Sequence, residues 1–196
     1  MYYFIEPKYF GKRDIIMPKE TGNIFHPNVC PVCGGNRSEP ERPVRFVLRG
    51  EPCDYYQFWS FIFVSESFKS MLEELNVTGY KLVPAKTAAW NLSDNEDEFP
   101  SYYEMIITGR CGLMRDMNGT PLPHCEKCGR SSDPKEDITG VSFEPDDYDD
   151  SDIFVFENRT NFPIIDSKLK KEISARKLSN CKFTDIRKYT VKSFGA

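Results

Sequence analysis

Two short cysteine motifs, far apart in the chain, constrain the fold more than any other feature of the sequence. Cys30-Pro31-Val32-Cys33 and Cys125-Glu126-Lys127-Cys128 are each followed directly by glycine. A C-x2-C pair directs two sulfurs at one centre, and two such pairs supply the four thiolates of a tetrahedral zinc site. Glycine after the second cysteine lets the backbone turn tightly, so that its amides face the sulfurs. The sequence therefore predicts one structural Zn²⁺ bound by Cys30, Cys33, Cys125 and Cys128.

Redox and disulfide chemistry are the alternative uses of such cysteine pairs. In a thioredoxin-like redox site the pair opens a helix after a strand, whereas prolines and glycines flank both pairs here, as in loops. Disulfides would require an oxidising compartment, and no secretory signal accompanies the cysteines. Because four thiolates leave zinc no open coordination position, the motif argues against a zinc enzyme.

Length and composition indicate one globular domain over residues 1–196, or two small halves that share a core. The chain is 39 % hydrophobic and 14 % aromatic, which is enough for a packed core. The N-terminus lacks the basic and apolar regions of a signal peptide, and the longest apolar run, residues 58–64, is too short to span a bilayer. We therefore expect a cytoplasmic protein without a membrane anchor, in which Cys53, Cys111 and Cys181 are buried thiols.

Charge is distributed unevenly along the chain, which has a net charge of −4. Residues 133–152 contain nine acidic residues and one lysine, whereas residues 153–196 contain ten basic and four acidic residues. The acidic segment is either a solvated loop or an electrostatic face for a basic partner protein. In the second case the contact residues would be Asp146, Asp147, Tyr148, Asp149 and Asp150.

Nucleic-acid binding by a zinc-ribbon or regulatory protein is the alternative function. Basic residues cluster on and beside the second predicted helix, at Lys168, Lys170, Lys171, Arg176 and Lys177. The negative net charge and the lack of a basic and aromatic surface pattern argue against it.

The clearest secondary structure is a strand–helix–strand unit at residues 59–83. An apolar strand at 59–64 precedes Ser65, a candidate helix N-cap, and Phe68, Met71, Leu72 and Leu75 follow at the spacing of one helical face. Gly79 is placed to end the helix. A second strand then covers 80–83 and stops at Pro84. We expect these helical residues to be buried, together with Phe61 and Phe63.

A similar unit returns at residues 160–186. Val64, Phe68 and Leu72 correspond at a constant spacing to Ile165, Leu169 and Ile173, which we expect to be buried together with Ile164. Asn180 replaces Gly79, and asparagine is the next-best residue for a left-handed helix stop. The predicted fold is α+β, with two such units packed around short sheets and a split, zinc-ribbon-like pair of cysteine knuckles. Both a duplication and a chance likeness remain open for the two units. Further strands are predicted at 1–6, 44–48, 102–108 and 153–156, with a turn at 158–161 and a frayed tail at 190–196.

Catalytic signatures are missing from the sequence. Phosphate-binding, zinc-protease and serine-hydrolase motifs are absent. His26 and His124 each lie near a cysteine pair and could contact the metal, although a thiolate bound to zinc is a poor nucleophile. We therefore predict that the protein is not an enzyme.

At this point the residues support a family resemblance. The aromatic N-terminal strand at 1–7, HPNVCPVCGG at 26–35, PLPHCEKCGR at 121–130 and the closing segment from 152 to 183 are similar to the double-CXXCG motif family of bacterial immunity proteins. The resemblance implies a cytoplasmic, non-enzymatic protein that binds one toxin domain, delivered by a neighbouring cell or made by the cell itself and encoded beside it. The acidic, aromatic central region and Asn180 depart from the family pattern.

Overall fold

The computed structural model describes residues 1–8, 14–17 and 21–193, and this part of the chain is mostly β-sheet. Two helices are present, α1 (Glu66–Glu74) and α2 (Ser167–Ala175). The strands are β1 (Tyr2–Pro7), β2 (Asp14–Ile16), β3 (Phe25–His26), β4 (Glu39–Pro40), β5 (Arg45–Arg49), β6 (Tyr55–Phe58), β7 (Phe61–Ser65), β8 (Tyr80–Trp90), β9 (Tyr102–Ile107), β10 (Gly109–Arg110), β11 (Ile138–Thr139), β12 (Ile153–Phe156), β13 (Arg159–Asp166), β14 (Cys181–Asp185) and β15 (Thr190–Val191).

Two large sheets form the framework. One has the strand order β10-β12-β13-β1-β14 and the other β2-β5-β8-β9-β7-β6, while β3 with β4 and β11 with β15 form small two-stranded ladders. The predicted α+β class is confirmed, although sheets of five and six strands are larger than the short sheets expected. None of the helices in the described ranges is long and apolar enough to cross a membrane.

Both predicted strand–helix–strand units are present, and their helices begin in the same way. The first unit is β7-α1-β8 and the second is β13-α2-β14. Ser65 caps α1 by accepting a 3.2 Å hydrogen bond from the amide of Phe68. Asp166 caps α2 by accepting a 2.8 Å bond from the amide of Leu169. Each cap satisfies an amide that has no partner inside the helix.

The two helices also end in the same way. Asn76 after α1 and Lys177 after α2 have φ of 51° and 55°, and Gly79 and Asn180 follow with φ of 87° and 62°. A Cβ at Gly79 would collide with the carbonyl oxygen of Ile153, so only glycine fits there.

The side chain of Asn180 makes a different use of the same position. Its Nδ2 donates a 2.7 Å hydrogen bond to the carbonyl oxygen of Tyr55, and its Oδ1 accepts a 2.9 Å bond from the amide of Lys8. Asparagine tolerates the left-handed backbone and here adds tertiary hydrogen bonds.

In each unit, the two strands are separated in the sheet by a third strand that comes from another part of the chain. In the first unit, β9 lies antiparallel between β7 and β8; in the second, β1 lies antiparallel between β13 and β14. The registers correspond: Val64 pairs with Tyr103 and Leu82 with Met105, as Ile165 pairs with Tyr3 and Phe183 with Ile5. With residues 1–100 called the first half and 101–193 the second, each half completes the other half's sheet.

Reciprocal side-chain bonds join the halves next to these strands. The carboxylate of Asp54 accepts bonds of 2.6 and 2.7 Å from the amide and hydroxyl of Ser179. The carboxylate of Asp152 accepts bonds of 2.8 and 2.9 Å from the amide and hydroxyl of Thr78. In each case an aspartate before a strand binds the turn that follows the other half's helix. We call these two contacts the aspartate clamps.

One hydrophobic cluster is shared by the two units. It contains Phe68, Met71 and Leu72 from α1 and Leu169 and Ile173 from α2, packed with residues of β1, β7, β9 and β13. The burial predicted for these residues and for Phe63, Ile164 and Ile165 is confirmed, whereas Leu75 and Phe61 are only partly buried. Two further clusters pack against the two sheets, one with residues of β1, β12 and β13 and the other with residues of β2, β5 and β7.

Four element boundaries differ from those predicted. The strand predicted at 59–64 begins only at Phe61, because Trp59 and Ser60 form the loop of the hairpin that joins β6 to β7. Strand β8 continues through Pro84 to Trp90, because β5 pairs with β8 only from Lys86 onwards and the proline faces no ladder partner on that side. The predicted 158–161 turn is the two-residue loop 157–158, since β13 already begins at Arg159. Thr190 and Val191 are not a frayed tail but pair with β11, while 194–196 lie outside the described residues.

Candidate metal centre

The four motif cysteines converge on one point. Their Sγ atoms all lie within 4.8 Å of one another, and they are the only cluster of this kind in the described ranges. The Sγ atoms of Cys30 and Cys125 are 4.0 Å apart, and those of Cys33 and Cys128 are 3.6 Å apart. Zinc–sulfur bonds of about 2.3 Å in a tetrahedron place sulfurs about 3.8 Å apart. The cluster therefore has the dimensions of a four-thiolate metal site.

The first cysteine pair lies at the tip of the β3–β4 hairpin. The amide of Cys30 donates a 2.9 Å bond to the carbonyl oxygen of Gly35, and the amide of Gly34 donates a 2.9 Å bond to the carbonyl oxygen of Cys30. Gly34 has φ of 66°, so it is the residue whose missing Cβ allows this turn.

The second pair repeats this turn bond for bond. The amide of Cys125 donates a 2.8 Å bond to the carbonyl oxygen of Arg130, and that of Gly129 a 2.7 Å bond to the carbonyl oxygen of Cys125. Gly129 has φ of 70°. Each half thus supplies one turn and two sulfurs to the centre.

Backbone amides favour the thiolate form of the first cysteine in each pair. The amides of Cys33 and Val32 lower the pKa of Cys30 to about 6. Those of Cys128 and Lys127 lower the pKa of Cys125. Hydrogen bonds to the ionised form are a recognised cause of such shifts.

At Cys33, by contrast, the neighbouring thiols raise the pKa. The amide of Gly35 lowers the pKa of Cys33, but the neighbouring thiol of Cys128 and burial raise it to about 11. Four negative charges at one point repel each other, and a bound divalent cation offsets that repulsion. The donor set therefore fits a thiophilic cation such as Zn²⁺.

Arg130 lies beside the first pair, a contact that the sequence analysis missed. A Cβ on Gly35 would lie 2.7 Å from Cδ and Nη1 of Arg130 and 3.2 Å from Sγ of Cys33. Gly35 therefore makes room for the guanidinium of the other half, whereas Gly34 serves the turn. A cation here partly offsets the charge of the thiolates. The second glycine of CPVCGG was the available signal.

Neither histidine belongs to the cysteine cluster. Nε2 of His26 lies 3.0 Å from Oε1 of Glu41, in an exposed pair. Nδ1 of His124 lies 2.9 Å from the carbonyl oxygen of Leu122. Both histidines are close to a cysteine pair in the sequence, but only the four cysteine sulfurs come together in the structure.

The remaining cysteines are separate from the centre. Cys53 and Cys111 are buried, as predicted, whereas Cys181 is only partly buried. Burial raises the pKa of Cys181 to about 12, so this thiol is held in its neutral form.

An ion pair fixes the chain just after the first turn. Nε and Nη2 of Arg42 donate bonds of 2.8 and 2.9 Å to the two carboxylate oxygens of Glu104 on β9. Glu104 is only 3 % exposed. The pair therefore anchors a first-half loop to a second-half strand by a bidentate contact.

Residues 144–152 of the acidic segment form one loop before β12, called the acidic loop here, and its aromatic residue packs within the protein. The ring of Tyr148 packs on those of Tyr2, Phe143 and Phe154, with centroids 5.9, 5.5 and 4.7 Å away. Its hydroxyl donates a 2.6 Å bond to the carbonyl oxygen of Ser151. Tyr148 therefore fixes the loop and does not stand out from it.

The four aspartates of this loop differ in their surroundings. Asp149 accepts a 2.8 Å bond from the amide of Arg110, which ties the loop to β10. Asp146, Asp147 and Asp150 are exposed, the first two in a short 3-10 turn. Asp149 is exposed as well, so all four carboxylates of the loop are accessible to solvent.

Comparison with known proteins identifies the family of this chain. A family model described as the immunity protein family Imm11 matches residues 42–188. That range covers most of the chain, including both strand–helix–strand units, the second cysteine pair and the acidic loop, and it begins after the first cysteine pair. A search of curated proteins gave no match. The chain therefore belongs to the Imm11 immunity protein family.

Proposed function

We propose that this protein binds a cognate bacterial toxin domain and neutralises it without catalysis of its own. The family match over residues 42–188 carries this proposal, because immunity families act through a toxin partner. The partner is expected to be encoded beside this gene, and the two proteins would meet in the cytoplasm.

The metal centre has a structural role in this proposal. Cys30, Cys33, Cys125 and Cys128 would hold one Zn²⁺, and their four thiolates would fill every position of a tetrahedral ion. Such an ion supplies folding energy rather than chemistry. Here it would join the turn of the first half to that of the second.

Co-expression tests the function directly. The toxin domain encoded beside the gene is produced in a bacterial host with and without this protein. We expect growth arrest with the toxin alone, recovery with both proteins, and a complex of the two on affinity purification. Growth arrest that persists in the presence of abundant folded protein, with no complex formed, would contradict the proposal.

The acidic loop is the surface that we propose attracts the toxin. Asp146, Asp147 and Asp150 present charge to solvent, and complementary charge speeds association more than it strengthens the final complex. Converting these three to asparagine, with Asp149 left in place to hold the loop, should slow association at low salt and flatten its salt dependence.

A matched variant separates this effect from net charge alone. Asp94, Glu96 and Asp97 lie exposed in the 91–100 loop and can be neutralised by the same number of charges. The control should keep most of the wild-type association rate. Equal rates for the wild type and the acidic-loop variant at low ionic strength would exclude this loop as the attracting surface.

A further inference from the structure

Each half of the protein places one arginine beside the cysteine turn of the other half. Arg130 follows the second cysteine pair, and its Cδ and Nη1 lie 2.7 Å from the position that a Cβ of Gly35, in the first turn, would occupy. Arg37 follows the first pair, and its Nη2 lies 4.0 Å from the corresponding position at Gly129, in the second turn. The two contacts are reciprocal, and Arg130 makes the closer one.

Both arginines also border sulfurs of the cysteine cluster. A cavity of about 1050 Å³ is lined by Arg130 and by Cys33. A second cavity, of about 430 Å³, is lined by Arg37 and by Cys128. The Cβ position at Gly35 is only 3.2 Å from Sγ of Cys33, so the guanidinium of Arg130 and this sulfur approach the same point. Each arginine therefore lies beside a sulfur that belongs to the opposite half.

Neither guanidinium is engaged by another group in the described part of the chain. Arg37 and Arg130 are exposed, and no hydrogen bond, ion pair or ring contact of either guanidinium occurs there. Carboxylates of Glu126, Asp133 and Glu157 border the same cavities, but none of them lies within ion-pair distance of these two arginines. The positive charge of both side chains is therefore available to the cysteine cluster.

The charge of a metal-bound cysteine cluster gives these cations a role. Four thiolates and one Zn²⁺ carry a formal charge of −2, which two guanidinium groups balance. Groups placed around the ligands of a metal site change its affinity for the metal. Arginine suits this role, because its guanidinium remains protonated at every pH at which the thiolates bind metal.

We propose that Arg37 and Arg130, called the arginine pair, strengthen metal binding at the cysteine cluster, each by placing positive charge beside the thiolates of the opposite half. This inference rests on the structural zinc of the proposed function, and it names residues that act through the ligands without touching the ion. It also explains Gly35, because a side chain there would displace the guanidinium of Arg130. The closer approach of Arg130 gives it the larger contribution.

Zinc affinity, measured by competition with a chromogenic chelator, tests the arginine pair. Arg130→Met keeps the apolar stem but removes the charge, and it should raise the Kd for Zn²⁺ about 10-fold. Arg37→Met should raise it by a smaller factor. Arg130→Lys keeps the charge and should stay within about threefold of the wild type. A Kd for Arg130→Met within about twofold of the wild-type value would overturn the inference.

Salt separates an effect of charge from one of packing. The ratio of the Arg130→Met and wild-type Kd values should fall towards one as the NaCl concentration rises from about 0.05 M to about 1 M, because salt screens exposed charges. A ratio that does not change with salt would assign Arg130 to packing and overturn the inference.

Lys171→Met is the matched control for net charge. Lys171 is exposed on α2 and lines neither cavity, so its loss should change the Kd for Zn²⁺ less than about twofold. Equal effects of Lys171→Met and Arg130→Met would show that net charge acts without regard to position, which would overturn the inference.

Folding and metal content distinguish the possible failures. In excess zinc, each variant should have the wild-type circular dichroism spectrum, and an Arg130→Met variant that stays unfolded there would assign Arg130 to the fold itself and overturn the inference. If the wild type binds zinc and Arg130→Met binds it equally tightly, the inference fails while the structural zinc stands. If the wild type binds no zinc, the structural zinc of the proposed function fails and the inference fails with it.

Discussion

The first and second halves of this protein share a framework and differ in what they expose. Both have a strand–helix–strand unit with matching caps, helix ends and strand registers, and each contributes one cysteine turn and one aspartate clamp to the other. The first half then exposes Trp59 in its hairpin loop, whereas the second half buries Asn158 in the equivalent loop and carries the exposed aspartates of the acidic loop. Features present in both halves account for the fold, and the loop that we propose attracts the toxin is present in the second half alone.

Loss of a metal ligand should have the largest effect, and the same effect in either half. Structural zinc can supply about 10–16 kcal/mol of apparent binding energy, which exceeds the stability of many domains. Cys30→Ser and Cys128→Ser should each abolish metal binding and leave the protein unfolded or aggregated. Far-ultraviolet circular dichroism and metal analysis check this.

Cys181→Ala is the control for the ligand variants, because this thiol lies outside the cluster. It should keep its metal and its fold. A folded, metal-bound Cys128→Ser variant beside an unfolded Cys30→Ser variant would show that the halves do not contribute equally.

The next largest effect is expected from truncating side chains of the hydrophobic cluster that the two units share. Leu72 in α1 and Ile173 in α2 occupy equivalent positions and are 0 % and 1 % exposed in the same cluster. Leu72→Ala and Ile173→Ala should each lower the free energy of unfolding by about 2–5 kcal/mol. Urea unfolding measures both. A loss below about 0.5 kcal/mol for one of them would place that helix outside the core.

Removal of the aspartate clamps should have a smaller effect and reveal an asymmetry. Asp54 accepts bonds from Ser179 and also a 2.7 Å bond from the hydroxyl of Ser65, whereas Asp152 bonds to Thr78 alone among side chains. Hydrogen bonds to a charged group contribute about 1.5–3 kcal/mol. In urea unfolding, Asp54→Ala should therefore cost more than Asp152→Ala. The reverse order would contradict this account of the clamps.

The smallest effect is expected from loss of the Asp185–Arg187 ion pair, which is present in the second half alone. Hydrogen bonds from Arg187 lower the pKa of Asp185 to about 2. A lowered folded-state pKa stabilises the protein above the unfolded value near 4, and this contribution disappears as the pH falls towards 2. The equivalent residue of the first half is Pro84, which has no such pair.

Arg187→Gln should therefore lower the free energy of unfolding only slightly at neutral pH, because the guanidinium is half exposed. The difference from the wild type should shrink between pH 4 and pH 2 in urea unfolding. A difference that stays constant over this range would show that the Asp185 carboxylate is not its source.

Local patterns made much of the architecture predictable. Apolar spacing located α1, with Ser65 as its cap, and the correspondence between the two units located α2. The motif spacing identified the four cysteines that converge. The constant spacing between the units was also visible in the sequence. These signals lie within single elements or short motifs, where local geometry determines the outcome.

Pairing between distant strands was not predictable in the same way. Nothing in residues 2–7 shows that β1 enters the sheet of the second half, because the choice depends on which edges remain open there. The extension of β8 through Pro84 depends likewise on where β5 begins to pair. The partial burial of Tyr148 and the exposure of Trp59 follow from tertiary packing, which residue type alone does not specify.

The central claim is that one metal ion joins the two halves through four thiolates. Native mass spectrometry and elemental analysis of protein freshly purified without chelator test it most directly. The account predicts one zinc ion per chain, lost together with the fold when a strong chelator is added. Protein that contains no metal and keeps its circular dichroism spectrum and unfolding temperature in the chelator would contradict it.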